Sequence, residues 1–213
     1  RSTLFPYTTL FRSERCWHTS DNRNYTFFLR KGVRFHNGRE LKAADVKYCF
    51  ERAVNPETKH PYAKDYAAIT DIIVKDDYTV TFALKTVNAN FLQNVARAGA
   101  MIYPREAVDT LKSHPIGTGP FRFEEWVRGD RVVLVKNPDY WVKGLPRLDR
   151  VTYRFVTDPN AVVAALKAGD VDVSLFGLGP EHVHDMQKDA CFSVILGDTT
   201  NDVILSMNNS RKP

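Results

Sequence analysis

A glycine-rich stretch, His114-Pro115-Ile116-Gly117-Thr118-Gly119-Pro120, is the first place to look for chemistry, and a phosphate loop is the chemistry it would do. Such a loop needs a Lys-Ser/Thr pair after its glycines and a helix N-terminus to hold the anion. Here Pro120 leads into the strand-like run Phe121 to Trp126, so the phosphate site is excluded. His182-Val183-His184-Asp185 contains metal-ligand types, yet two histidines spaced by two on a helix point about 200° apart, which makes them solvated surface rather than a shared metal site. Ser174, Ser193 and Ser206 lack the glycine frame of a nucleophile elbow. Cys16, Cys49 and Cys191 show neither C-x-x-C nor metal spacing, and three cysteines so far apart define no disulfide framework. These motifs support no catalysis, no metal and no cofactor.

The elements that must position any site are clearer. Tyr25 to Leu29 is β-branched and aromatic and ends at Arg30-Lys31-Gly32, a strand running into a turn, and Asn37-Gly38 marks a second turn. Val46, Cys49, Phe50, Ala53 and Val54 recur at helical spacing and form one apolar stripe, stopped by Asn55-Pro56. Cys49 lies on that stripe and reads as a small buried hydrophobe. Residues 69–74 and 78–84 flank Lys75-Asp76-Asp77, and Tyr78, Val80, Phe82 and Leu84 alternate with Thr79, Thr81 and Ala83, which predicts a hairpin with one buried face. Short helices are expected at about 89–97 and 104–112, the second with Pro104 in its first turn.

Two prolines and two glycines within 114–120 predict a connection with unusual backbone dihedrals, and a domain crossing is placed there. Beyond it, strands are expected at Phe121 to Trp126, at Arg131 to Lys136 and over Val151, Tyr153 and Phe155. Asp158-Pro159 caps a helix over Asn160 to Ala168 that Gly169 closes. A strand from Val171 to Phe176 then completes a β-α-β unit with parallel pairing, and further strands are expected at Phe192 to Leu196 and Asp202 to Met207.

Residues 3–13, TLFPYTTLFRS, read as codons resemble a short-read sequencing adapter, so 1–13 is expected to be an artefactual tail with the biological sequence beginning near Glu14. Arg1 and Arg12 account for two of the +5 formal charges, leaving +3. The remaining Lys and Arg are interleaved with acids rather than gathered in a stripe, which argues against a nucleic-acid partner. No apolar run approaches the ~18 residues of a membrane span. With 43% apolar and 26% charged residues, the chain has the composition to bury one sizeable core or two small ones. Its abrupt end at Met207 to Pro213, with no closing helix, is expected of an internal fragment.

Six phrases stand out: Tyr25-Thr-Phe-Phe-Leu-Arg-Lys-Gly-Val-Arg-Phe-His-Asn-Gly38, Ala43-Ala44-Asp45-Val46, Pro115-Ile-Gly-Thr-Gly-Pro-Phe121, Lys136-Asn-Pro-Asp-Tyr-Trp141, Ala164-Ala-Leu-Lys-Ala-Gly-Asp-Val-Asp172 and Met207-Asn208-Asn209. In this order, from about Trp17 to Pro213, the chain closely resembles the solute-binding proteins of bacterial ABC importers for oligopeptides, dipeptides and nickel. The resemblance implies a mixed α/β, periplasmic-binding-protein-like fold of two lobes closing on a ligand. In it, 14–113 corresponds to an inserted domain incomplete at its start, 114–213 to part of the first ligand-binding lobe, and the second lobe lies beyond Pro213. The family commonly has Thr before Ala-x-Asp-Val; Lys42 stands there instead, forgoing an N-cap worth roughly 1 kcal/mol.

The function so implied is non-enzymatic: capture of a peptide or similar small polar solute in the periplasm or at the cell surface, and delivery to the permease subunits of an importer, by a protein monomeric at full length. By the same resemblance, the strand Asn201 to Ser206 lines the cleft, with Asn201, Asp202, Ile204 and Ser206 as ligand-binding candidates. The aromatic of the loop after the first helix is matched by Tyr62, with Tyr66 a second choice. Lobe packing is the alternative for both tyrosines. A fragment of a secreted hydrolase, using His182 or His184 if metal-dependent, is the rival function.

Overall fold

The structure is a computed structural model and describes residues 14–174 and 178–196. It separates into two compact units, one up to Arg154 and one from Phe155. The first unit holds two antiparallel sheets. Strands β1 (Glu14–His18), β2 (Asn24–Leu29), β3 (Ile69–Asp76) and β4 (Thr79–Leu84) form the first, in the order β1-β2-β4-β3. Strands β5 (Phe121–Val127), β6 (Arg131–Lys136) and β7 (Arg150–Arg154) form the second in sequence order.

Helix α1 (Ala43–Val54) covers one face of the first sheet, and the sequence explains how. Its apolar stripe, Val46, Cys49, Phe50 and Ala53, is buried, while Val54 packs at the edge. On the sheet, Tyr25 faces Phe82 and Phe27 faces Val80 across the β2–β4 ladder, so all four share the core side. Phe82 anchors an aromatic cluster, edge-on to Phe27 at 5.5 Å and to Phe50 at 4.9 Å. The alternation expected of 78–84 is present with one difference: Thr81 is buried as well. The cause is the position of β4 between β2 and β3, where the Thr81 hydroxyl meets that of Thr26 at 2.8 Å.

Lys42 indeed supplies no side-chain cap to α1, but the helix start is satisfied from the other direction. Asp45 accepts from the Lys42 backbone N–H at 2.9 Å and holds Arg39 through both carboxylate oxygens, at 2.6 and 3.1 Å. The Lys42 ammonium reaches Tyr78 Oη at 2.5 Å, beside Glu40 and Asp77 at 3.3 Å each.

Several expected elements are shorter or absent. The helix at 89–97 is α2 (Phe91–Val95) only, and that at 104–112 is a single 3-10 turn at Arg105–Ala107 followed by turns. Hydroxyls compete with helix formation there: Thr110 Oγ1 donates to Ala107 O at 3.0 Å and Ser113 Oγ to Thr110 O at 3.2 Å. In the second unit, α3 (Pro159–Ala168) has the expected ends, with Asp158 accepting from Ala161 N–H at 2.8 Å and Gly169 at φ 78°. Val171 to Ser174 and Phe192 to Leu196, by contrast, are not strands, so among the described residues the parallel β-α-β pairing is absent. Apolar alternation marks a segment able to be a strand, but a ladder partner makes it one. Residues 175–176 and the expected strand 202–207 lie outside the described residues. Helix α4 (Pro180–Gln187) follows, and no described helix is long and apolar enough to cross a membrane.

Candidate functional site

The loop that leaves α1 is built by its own side chains. Asn55 ends the helix and begins the next turn, its Oδ1 accepting from Glu57 N–H at 2.9 Å with Pro56 following. Thr58 Oγ1 donates back to Arg52 O at 2.6 Å, and Lys59 turns the chain in the left-handed region at φ 48°. His60 Nδ1 then accepts from Tyr62 N–H at 3.2 Å, setting the entry to a 3-10 turn at Ala63–Tyr66.

This geometry sends the two candidate tyrosines in different directions. Tyr62 is 45% exposed and lies over Gly99, whereas Tyr66 is 1% exposed, its ring edge-on to Phe50 at 5.2 Å. Burial, reinforced by the Asp65 charge, pushes the Tyr66 phenol up to about 12. Its hydroxyl has no hydrogen-bond partner among the described residues. Asn201, Asp202, Ile204 and Ser206 lie outside the described residues.

A second focus was missed as a site in the sequence, although its residues sit inside the quoted phrases. His36 N–H donates to Gly117 O at 2.9 Å, and Gly117 N–H donates to His36 Nδ1 at 3.2 Å. An Nδ1 that accepts leaves the proton on Nε2, which donates to Gly119 O at 3.1 Å. Asn137, 2% exposed, donates to the same carbonyl at 2.9 Å. Burial, with a smaller contribution from the Arg122 charge, lowers the pKa of His36 below 6.5, against the opposing pull of the Gly119 carbonyl. Arg30 lies over the Trp141 ring at 4.7 Å, a further tie between the first and fourth phrases. Neither Gly117 nor Gly119 has a positive φ, contrary to the unusual dihedrals expected there. The stretch is held by its polar backbone groups, which the His36 and Asn137 side chains engage.

Cys49 is tied into the core. Cys49 exchanges hydrogen bonds with the Tyr103 backbone at 3.4 Å in both directions, and burial pushes its thiol up to about 12. On α4, His184 is exposed and His182 has Glu181 at 3.9 Å; the described residues contain no cluster of three or more metal-ligand side chains.

The family model for bacterial extracellular solute-binding proteins, family 5 middle, matches residues 11–213. The chain belongs to this family. Among curated family 5 relatives, the glutathione-binding protein GsiB of Pectobacterium atrosepticum is 34% identical over 199 residues, covering 92% of this chain and 38% of GsiB. The oligopeptide-binding protein AppA of Bacillus subtilis is 35% identical over 159 residues, covering 70% of this chain and 29% of AppA. Among solved structures, the ABC transporter-associated periplasmic binding protein DppA of Helicobacter pylori, in complex with the peptide STSA, superposes with a TM-score of 0.77 at 29% identity, covering 87% of this chain and 42% of DppA. The fold is thus part of the two-lobe periplasmic binding protein architecture. The chain spans well under half the length of these relatives.

Proposed function

We propose that the protein containing this chain is the substrate-binding component of an ABC importer, working in the periplasm or at the cell surface as a monomer. It captures a peptide or similar small polar solute and hands it to the membrane permease without chemical change. The observation that carries this is the 34% identity to a glutathione-binding protein across 92% of the chain. Lobe closure buries the ligand, and affinity reflects how far the ligand favours the closed state. Within this chain we assign Tyr62 to the ligand, because its loop presents an exposed aromatic ring held from below by Gly99. We assign the stretch containing Asn201, Asp202, Ile204 and Ser206 to backbone recognition of an extended peptide. Tyr66, sealed in the core, supports the loop. Growth of a peptide-importer mutant on a peptide nutrient, with and without the full-length gene, tests the function; failure to restore growth with the cognate permease present overturns it.

A further inference from the structure

Behind the Tyr62 loop the structure holds a cavity of about 220 Å³ between α1 and the segments near residues 100 and 111. Phe50, Ala53, Ala100 and Met101 give it apolar walls, and its cationic groups are Arg52 and Lys112. No carboxylate lines it, and among the described residues neither cation has an acidic partner within ion-pair distance. Arg52 is held at the wall by Nη1 donating to Tyr103 Oη at 3.3 Å, which leaves the rest of its donor fork available. His60, also on the lining, is kept toward its neutral form by burial and then by the Arg52 charge. The volume lies below the ~300–1,000 Å³ typical of drug-sized ligands, so the occupant is small.

We propose that this cavity binds a small carboxylate with a compact apolar body, its carboxylate on Arg52 and Lys112 and its body against Phe50 and Ala53. The proposal stands or falls independently of the importer function. An apolar cavity alone selects for size; unpaired guanidinium and ammonium groups at its wall select for negative charge.

The test uses the full-length protein that contains this chain, phenylacetate as probe and uncharged phenylacetamide as its isostere, with backbone amide shifts of Ala53, Ala100 and Leu111 as the readout. Phenylacetate is expected to give saturable shifts at these amides and phenylacetamide to bind about tenfold more weakly, the effect of losing a charge-assisted contact. Arg52→Gln should weaken phenylacetate by about tenfold and leave phenylacetamide unchanged. If Arg52→Gln does not fold, the exposed Lys112→Gln takes its place, with an expected loss of about threefold. Equal binding of the two probes, an unaltered affinity in the folded variant, or no saturable shift up to about 20 mM phenylacetate overturns the proposal.

Discussion

The Tyr62 ring fills the space that a side chain at residue 99 would need: a Cβ there would come within 2.5 Å of Tyr62 Cδ2 and 3.1 Å of Tyr66 Oη. Tyr62 Cγ would also be met, at 2.9 Å, and lies at the root of the ring, so that side chain cannot yield by moving its tip alone, and the buried Tyr66 hydroxyl has little room to give. Gly99→Ala is therefore expected to destabilise the first unit by about 1–3 kcal/mol, the range of overpacked sites. In a Tyr62→Ala background the cost should fall, because one of the two clashes is gone. Denaturant melts of the four variants of the cycle check this, and an unchanged cost would place the strain at Tyr66.

Phe50 and Phe28 separate burial from aromatic character. Phe50 is 1% exposed and touches both Tyr66 and Phe82, so Phe50→Ala should cost about 3–5 kcal/mol. Phe28 is 37% exposed on the outward face of β2, and its truncation should cost less than about 1 kcal/mol. Urea midpoints of the two variants provide the comparison.

Protonation of His36 should loosen the contact between 114–120 and the rest of the first unit. Because the folded-state pKa lies below 6.5, the unfolded chain binds a proton first as pH falls. Stability from this group is complete above about pH 6.5 and is lost as pH falls toward the folded-state value. His60 is lowered in the same direction, so a variant is needed to isolate one group. His36→Gln should flatten the decline of Tm between about pH 7 and pH 5 relative to the parent chain; parallel declines would assign the pH dependence to other groups.

Tyr62→Ala in the full-length protein should weaken peptide binding by about tenfold or more, as expected for an aromatic anchor, with thermal stability nearly unchanged because the ring is half exposed. Calorimetry with a peptide ligand measures it. Retained affinity would return Tyr62 to packing against Gly99.

Where the signal in the sequence was local, it translated directly. The α1 stripe, the β3–β4 hairpin and both ends of α3 follow from spacing and cap residues that act within one turn or one ladder. The failures share a cause. Val171 to Ser174 and Phe192 to Leu196 have strand composition, but pairing is a property of two segments, and no local rule names the partner. The same holds for His36: a histidine in a turn does not disclose that a glycine stretch 81 residues later will use both its ring nitrogens. Tyr62 and Tyr66 are alike in sequence, and only the 3-10 turn between them puts one outside and one in the core.

The knot at Gly119 bears on how such chains can be compared. Three of the phrases by which the sequence is assigned to its family meet through His36, Gly119 and Asn137, with a further contact from Arg30 to Trp141. These residues spend their hydrogen bonds on each other. Selection acting on them would preserve assembly of the first unit, so two proteins can share these three phrases and still bind different solutes. Phylogenies weighted by such positions should track descent, while under the proposed function differences in cargo are expected in residues around the Tyr62 loop.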